Sequence, residues 1–150
     1  MKLAEALIER ADLQKRLDQL EQRLQSNALV QEGQTPAEDP LALMKELDTV
    51  TAALESIVTR INHTNAAATA DGETLTSLIS RRDILTKKTG ILRRFLHIAS
   101  QTAVRSRGSE IIVRSSVNVR EMQAEVDRLS KELREIDTRI QAANWSTELI

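Results

Sequence analysis

The stretch from Val119 to Ile140 limits what this chain can fold into more than any other. Apolar residues stand at Val119, Met122, Val126, Leu129, Leu133, Ile136 and Ile140. The steps alternate between three and four, which holds the side chains on one stripe of an α-helix. Asn118 is placed as the N-cap, Glu121 completes a capping box, and Val117 and Met122 are spaced as a hydrophobic staple. A stripe this narrow is not stable alone in water, so the helix needs helical neighbours.

The stripe has an earlier copy. Glu46 to Asn65 aligns without gaps to Glu125 to Asn144 at an offset of 79, with eight of twenty positions identical. Shared residues include Leu54/Leu133, Ile57/Ile136, Asn65/Asn144 and the run Thr59-Arg60-Ile61, repeated as Thr138-Arg139-Ile140. A weaker echo pairs Leu7 to Leu13 with Leu78 to Ile84, an offset of 71. These patterns predict an all-α chain forming one helical domain over 1–150. It is an antiparallel four-helix assembly built from two duplicated long helical hairpins, about 1–70 and 71–150.

Composition agrees. Phe95 and Trp145 are the only aromatics, and Leu, Ile, Ala, Glu, Arg and Gln dominate, as in long helices. No Cys is present, which removes disulfides, thiolate metal sites and a Cys nucleophile, and fits the cytoplasm. No apolar run approaches the roughly 18 residues of a membrane span. The start of the chain carries Glu5, Glu9 and Asp12 where a signal peptide needs apolar residues. The net charge of −1 is unevenly spread: residues 74–114 hold nine Lys/Arg against Asp83 and Glu110, a balance of +7, leaving −8 for the rest.

In chain order, the first helix covers about 2–26, with a Leu13, Leu17, Leu20, Leu24 seam extended back through Leu3 and Ala6 and interrupted by Arg10. A connector follows, with a short extended piece near 28–32. Asp39 as N-cap and Pro40 at the first helical position open the second helix. That helix ends near Asn62 to Asn65, where Asn suits a left-handed cap. An Asp71-Gly72 turn joins the halves. The third helix runs from about Thr74 to Ala103. Its broad apolar arc, Leu78, Ile84, Leu85, Ile91, Leu92, Phe95 and Leu96, marks it as touching more than one neighbour. A second extended segment, near 109–114, is β-branched and occupies the place that 28–32 holds in the first hairpin. The two are expected to pair as a small ribbon. The tail after Asn144 ends in apolar residues and is expected to dock.

Candidate sites are few. The cations Arg81-Arg82, Lys87-Lys88 and Arg93-Arg94 scatter around the helical wheel instead of lining one groove, so pairing with acidic helix faces accounts for them better than nucleic acid does. Arg81 and Lys88 fall inside the apolar arc and, with Phe95, Ile111 and Val113, are the candidate interface residues. Neither His63 nor His97 has an acid three or four residues upstream, as a helical metal site would require. Arg60, Asn62, Asn65, Arg139, Asn144 and Trp145 sit at equivalent helix ends. They serve either as caps and carbonyl partners or as the frame of a pocket for an anion or small polar ligand. No catalytic residue, cofactor or metal is expected.

In combination, Ala28-Leu29-Val30-Gln31-Glu32-Gly33, Arg60-Ile61-Asn62 with Thr64-Asn65, Ser109-Glu110-Ile111, and Asp137-Thr138-Arg139-Ile140-Gln141 with Asn144-Trp145 resemble the small bacterial septicolysin-like proteins. The resemblance covers nearly the whole chain. It implies a helical protein of poorly characterised role and, from the label, a membrane-active cytolysin. It brings no catalytic residues. The function expected from the residues themselves is a non-enzymatic, oligomeric helical scaffold or protein-binding protein in the cytoplasm. A homo-oligomer and a protein partner are the expected associations. The alternatives are a cytolysin-like membrane-active protein, or a nucleic-acid-binding protein acting through 81–114.

Overall fold

The computed structural model describes residues 1–102 and 112–150. Four helices dominate: α1 (Leu3–Ser26), α2 (Pro40–Ala67), α3 (Leu75–Ala99) and α4 (Val119–Ser146). A two-stranded ribbon, β1 (Thr69–Ala70) and β2 (Glu73–Thr74), lies between α2 and α3. The chain divides into two compact units, one of Met1–Thr69 with Ala142–Ile150, the other of Ala70–Gln141.

In the first unit α1 packs antiparallel on α2. Arg16 reaches Glu46 at 3.4 Å, and farther along α1 Arg23 holds Glu38 just ahead of α2 at 2.6 Å. Leu13, Leu20, Leu43, Val50, Ile57 and Ile61 are buried in this unit. The start signals of α2 work as the sequence predicts: the Asp39 carboxylate accepts from the Leu41 N–H, and Pro40 takes the first helical position. In the second unit α3 and α4 also run antiparallel, with Arg82 3.8 Å from Asp137 and Arg93 donating to the Ser130 hydroxyl at 2.7 Å. Asn118 caps α4 by accepting from the Glu121 N–H at 3.1 Å.

The internal repeat holds at the level of whole elements. Adding 79 to the bounds of α2 gives the bounds of α4. The buried residues correspond too: Val50 with Leu129, Ile57 with Ile136, Ile61 with Ile140 and Thr64 with Ala143. For α1 and α3 the offset is 72, not the 71 of the sequence echo. At 72, buried Leu3 meets Leu75, Ala6 meets Leu78 and Leu13 meets Leu85, and Arg10 meets Arg82. The two offsets also relate the ribbon to the outer ends of the described chain. Lys2 bridges antiparallel to Glu148, with Leu3 N–H donating to Thr147 O and Leu149 N–H to Met1 O, both at 2.9 Å. Lys2 and Glu148 correspond to Thr74 of β2 and Thr69 of β1. The same ribbon is thus built twice, once closed by a turn and once open. The expected docking of the tail follows, since Leu149 is buried.

The extended segments differ from expectation. Residues 28–32 form no strand: Leu29 is 90% exposed and Val30 half so. The cause is Asn27, whose amide donates to Arg23 O at 2.8 Å while its carbonyl accepts from the Glu38 N–H at 2.9 Å. This pins the two ends of the connector together, and the chain between them bulges into solvent with nothing to pair against. Of the second segment, 109–111 lies outside the described residues, and Ile112 to Arg114 is exposed and without regular structure. The ribbon forms at 69–74 instead because Asp71 (φ 51°) and Gly72 (φ 82°) make the two-residue turn with positive φ at both positions that matches strand twist. No long loop has to be closed to bring these strands together.

The left-handed Asn caps are also absent. Helix α2 continues to Ala67 and leaves through an extended Ala68 (φ −75°, ψ 143°), whose N–H donates to Thr64 O. An extended exit feeds β1 directly, which a left-handed residue would turn away. Likewise α4 runs on to Ser146, so Asn144 is a buried residue inside the helix.

Candidate functional site

The helix-end cluster comes apart by unit. Arg60, Asn62, Asn65, Asn144 and Trp145 belong to the first unit and Arg139 to the second. Arg60 Nε donates to Ile150 O at 3.0 Å, while buried Thr64 donates to Arg60 O and accepts from the Ile150 N–H. Arg139 mirrors this in its own unit. It donates to Ala70 O at 3.2 Å, and its Nε lies 2.9 Å from Asp71 Oδ2, off the direction of its N–H and so as an ion pair more than a hydrogen bond. Each repeated Arg therefore clamps one ribbon: Arg60 the open one, Arg139 the closed one. The Arg139 guanidinium is engaged by Ala70 O, Asp71 and Glu73, whereas exposed Arg60 commits its Nε to Ile150 O. Asn62 and Trp145 are exposed and Asn65 is half-buried.

The cations of α3 are partly engaged as well. Arg81 forms a two-point pair with Glu73 at 2.6 and 3.2 Å, securing β2. Arg82 pairs with Asp83 and Asp137, and Arg93 bonds Ser130. His97 Nε2 lies 2.9 Å from the side chain of Gln101.

The broad arc of α3 splits into two stripes. Leu75, Leu78, Leu85, Thr89 and Leu96 are buried. On the adjoining face Ile84 (65%), Ile91 (58%), Phe95 (42%) and Ile98 (66%) stand exposed, with Lys88 among them. Their spacing is that of a helix seam without a partner inside the described chain. Of the predicted interface residues, Phe95 and Lys88 lie on this stripe and Arg81 at its edge. Val113 is exposed in the segment before α4, and Ile111 lies outside the described residues.

Comparison of the repeats sets this stripe apart from its counterpart. At the offset of 72, Ile84, Lys88, Ile91, Phe95 and Ile98 correspond to Asp12, Arg16, Gln19, Arg23 and Ser26 of α1. One hairpin therefore builds this face with polar residues throughout, and the fold does not demand apolar ones. In α1 the face is tied down by ion pairs: Arg23 binds Glu38 through two nitrogens and sits 3.4 Å from Glu46. A sequence reading that lacks the correct register cannot see the contrast.

A second surface escapes sequence reading altogether. Around the first turns of α1, Met1, Ile8 and Leu13 line a groove of about 560 Å³ rimmed by Glu5, Glu9, Asp12 and Arg16. Met1 and Ile8 are each more than half exposed. The only signal in the sequence was Ile8, an apolar residue off the seam.

Three carboxyls are held below their ordinary value of 4.5: Glu38 by its hydrogen bond from Arg23, Glu125 by that from Arg128, and Glu148 by that from Lys2. A carboxyl depressed in the folded state contributes stability above its unfolded value and loses it as pH falls through the folded one. The melting temperature is therefore expected to be level from neutral pH down to about 5 and to fall below about 4.5. Glu38→Gln is expected to make that fall shallower, as read by circular dichroism melts; an identical acid slope in the variant would contradict the assignment.

These geometries can be set beside known proteins. The model of a family of unknown function, DUF6847, matches residues 10–149. The chain belongs to the DUF6847 family. A crystal structure of a functionally unknown conserved protein from Corynebacterium diphtheriae is similar over 100% of this chain and 99% of that one, at 38% identity and a TM-score of 0.93. No curated protein matches. The family match corrects the septicolysin-like resemblance: what the chain matches over residues 10–149 is DUF6847. Among the described residues no helix of this DUF6847 protein is long and apolar enough to cross a membrane.

Proposed function

We propose that this DUF6847 protein is a non-enzymatic helical scaffold that acts in the cytoplasm by self-association through the outer face of α3. One observation carries the reading: equivalent positions of a duplicated hairpin are polar in α1 and apolar in α3. Folding alone is satisfied by the polar version, so the apolar version answers to another chain. The ribbon contacts of Arg60 and Arg139 support it from the other side, since the two repeated Arg residues of the helix-end cluster serve the fold. Light scattering coupled to size exclusion tests the proposal. A mass above the 16.8 kDa of one chain is expected across the micromolar range; a mass of one chain throughout overturns it.

A further inference from the structure

We infer that the association is heterologous: the basic, apolar stripe of α3 in one copy seats against the acidic groove at the start of α1 in a second copy. This rests on the self-association proposed above and names the two faces that meet. On a helical wheel the α3 stripe carries Lys88 and is flanked on one side by Lys87 and Arg94 and on the other by Arg81, which Glu73 pairs; all four cations are exposed. Two such stripes laid together would set Lys87, Lys88 and Arg94 of one copy near those of the other, a juxtaposition that disfavours the pairing. The α1 groove supplies what the stripe lacks. Its floor is apolar, through Met1, Ile8 and Leu13, and its rim carries the carboxylates of Glu5, Glu9 and Asp12, with one cation, Arg16, at its far end where Glu46 pairs it at 3.4 Å. The lengths agree as well: the helical part of the groove, Leu3 to Arg16, and the stripe from Ile84 to Ile98 each cover about four turns, roughly 21–22 Å of helix. Apolar centres with opposite charges at their edges are the pattern that selects one partner face over another. A contact between different faces of identical chains is head-to-tail.

Paired charge reversals test this. One variant carries Lys87→Glu and Arg94→Glu on α3, the other Glu9→Lys and Asp12→Lys on α1. Each alone opposes like charges at the contact, so each is expected to run at 16.8 kDa. Mixed in equal amounts they restore one native pairing, α1 of the first with α3 of the second, and the mass is expected to rise at least twofold. Circular dichroism matching the unaltered chain separates lost association from lost fold. Salt titration of the unaltered chain adds an independent readout, with association expected to weaken as ionic strength rises. If the α1 variant associates alone while the α3 variant does not, self-association through α3 stands and this pairing falls. Two monomeric variants that stay monomeric when mixed, or an unaltered chain whose mass ignores salt, overturn the pairing. A monomeric unaltered chain overturns both proposals.

Discussion

Leu85→Ala is expected to destabilise the chain by about 2–5 kcal/mol, and Ile84→Ala, one residue away, by less than about 0.5 kcal/mol. Leu85 is 8% exposed on the buried stripe of α3, while Ile84 is 65% exposed on the outer one. Removing three side-chain carbons from a packed position loses their transfer free energy and leaves a cavity that the helix cannot close. The same truncation at Ile84 removes surface already in water, and Ala has the higher helix propensity. Urea unfolding at a concentration where the chain is monomeric reads both values, since association would add its own stabilisation at the outer stripe. Equal losses at the two positions would mean that the arc of α3 is a single buried face, and the division of that helix would be wrong.

That division marks the boundary of what the residues alone disclosed. Helix ends were legible where a side chain has one local partner. Asp39-Pro40 and Asn118 act within the first turn they begin, so no tertiary knowledge was needed to place α2 and α4. The equivalence of these helices was legible because both have a single seam, and seven-residue spacing admits one register. For α1 and α3 the broad arc offers two seams, and the echo Leu7/Leu78 aligned a half-buried residue with a fully buried one. Burial shows that the proper match is Ala6/Leu78. Only in that register do Asp12, Arg16, Gln19, Arg23 and Ser26 fall opposite the exposed stripe. The Asp71-Gly72 turn was plain, but strands of two residues carry no alternation to detect. The β-branched and apolar content of the connectors pointed to strands at 28–32 and 109–114. In the first, the tie between Asn27 and the Glu38 N–H across the connector decided the outcome, and sequence spacing gives no hint of it. The clamps made by Arg60 and Arg139 were hidden for the same reason: the shared Thr-Arg-Ile motif marked the residues, but their partners lie 90 and 69 positions away.

The repeat supplies its own control for the central claim. Transplanting the α1 residues onto α3, as Ile84→Asp, Ile91→Gln, Phe95→Arg and Ile98→Ser, asks whether the outer stripe serves folding or association. The first hairpin tolerates these residues at the equivalent positions, and the sites are exposed. The four changes together are therefore expected to alter monomer stability by no more than about 2 kcal/mol. Association is expected to be lost, because four apolar side chains at the centre of the contact are replaced by hydrated ones. The decisive measurement is the light-scattering mass of this four-residue variant beside that of the unaltered chain, with urea unfolding on the same samples. A fall to 16.8 kDa with the fold intact is the predicted result; an unchanged mass, or a chain that no longer folds, would contradict it.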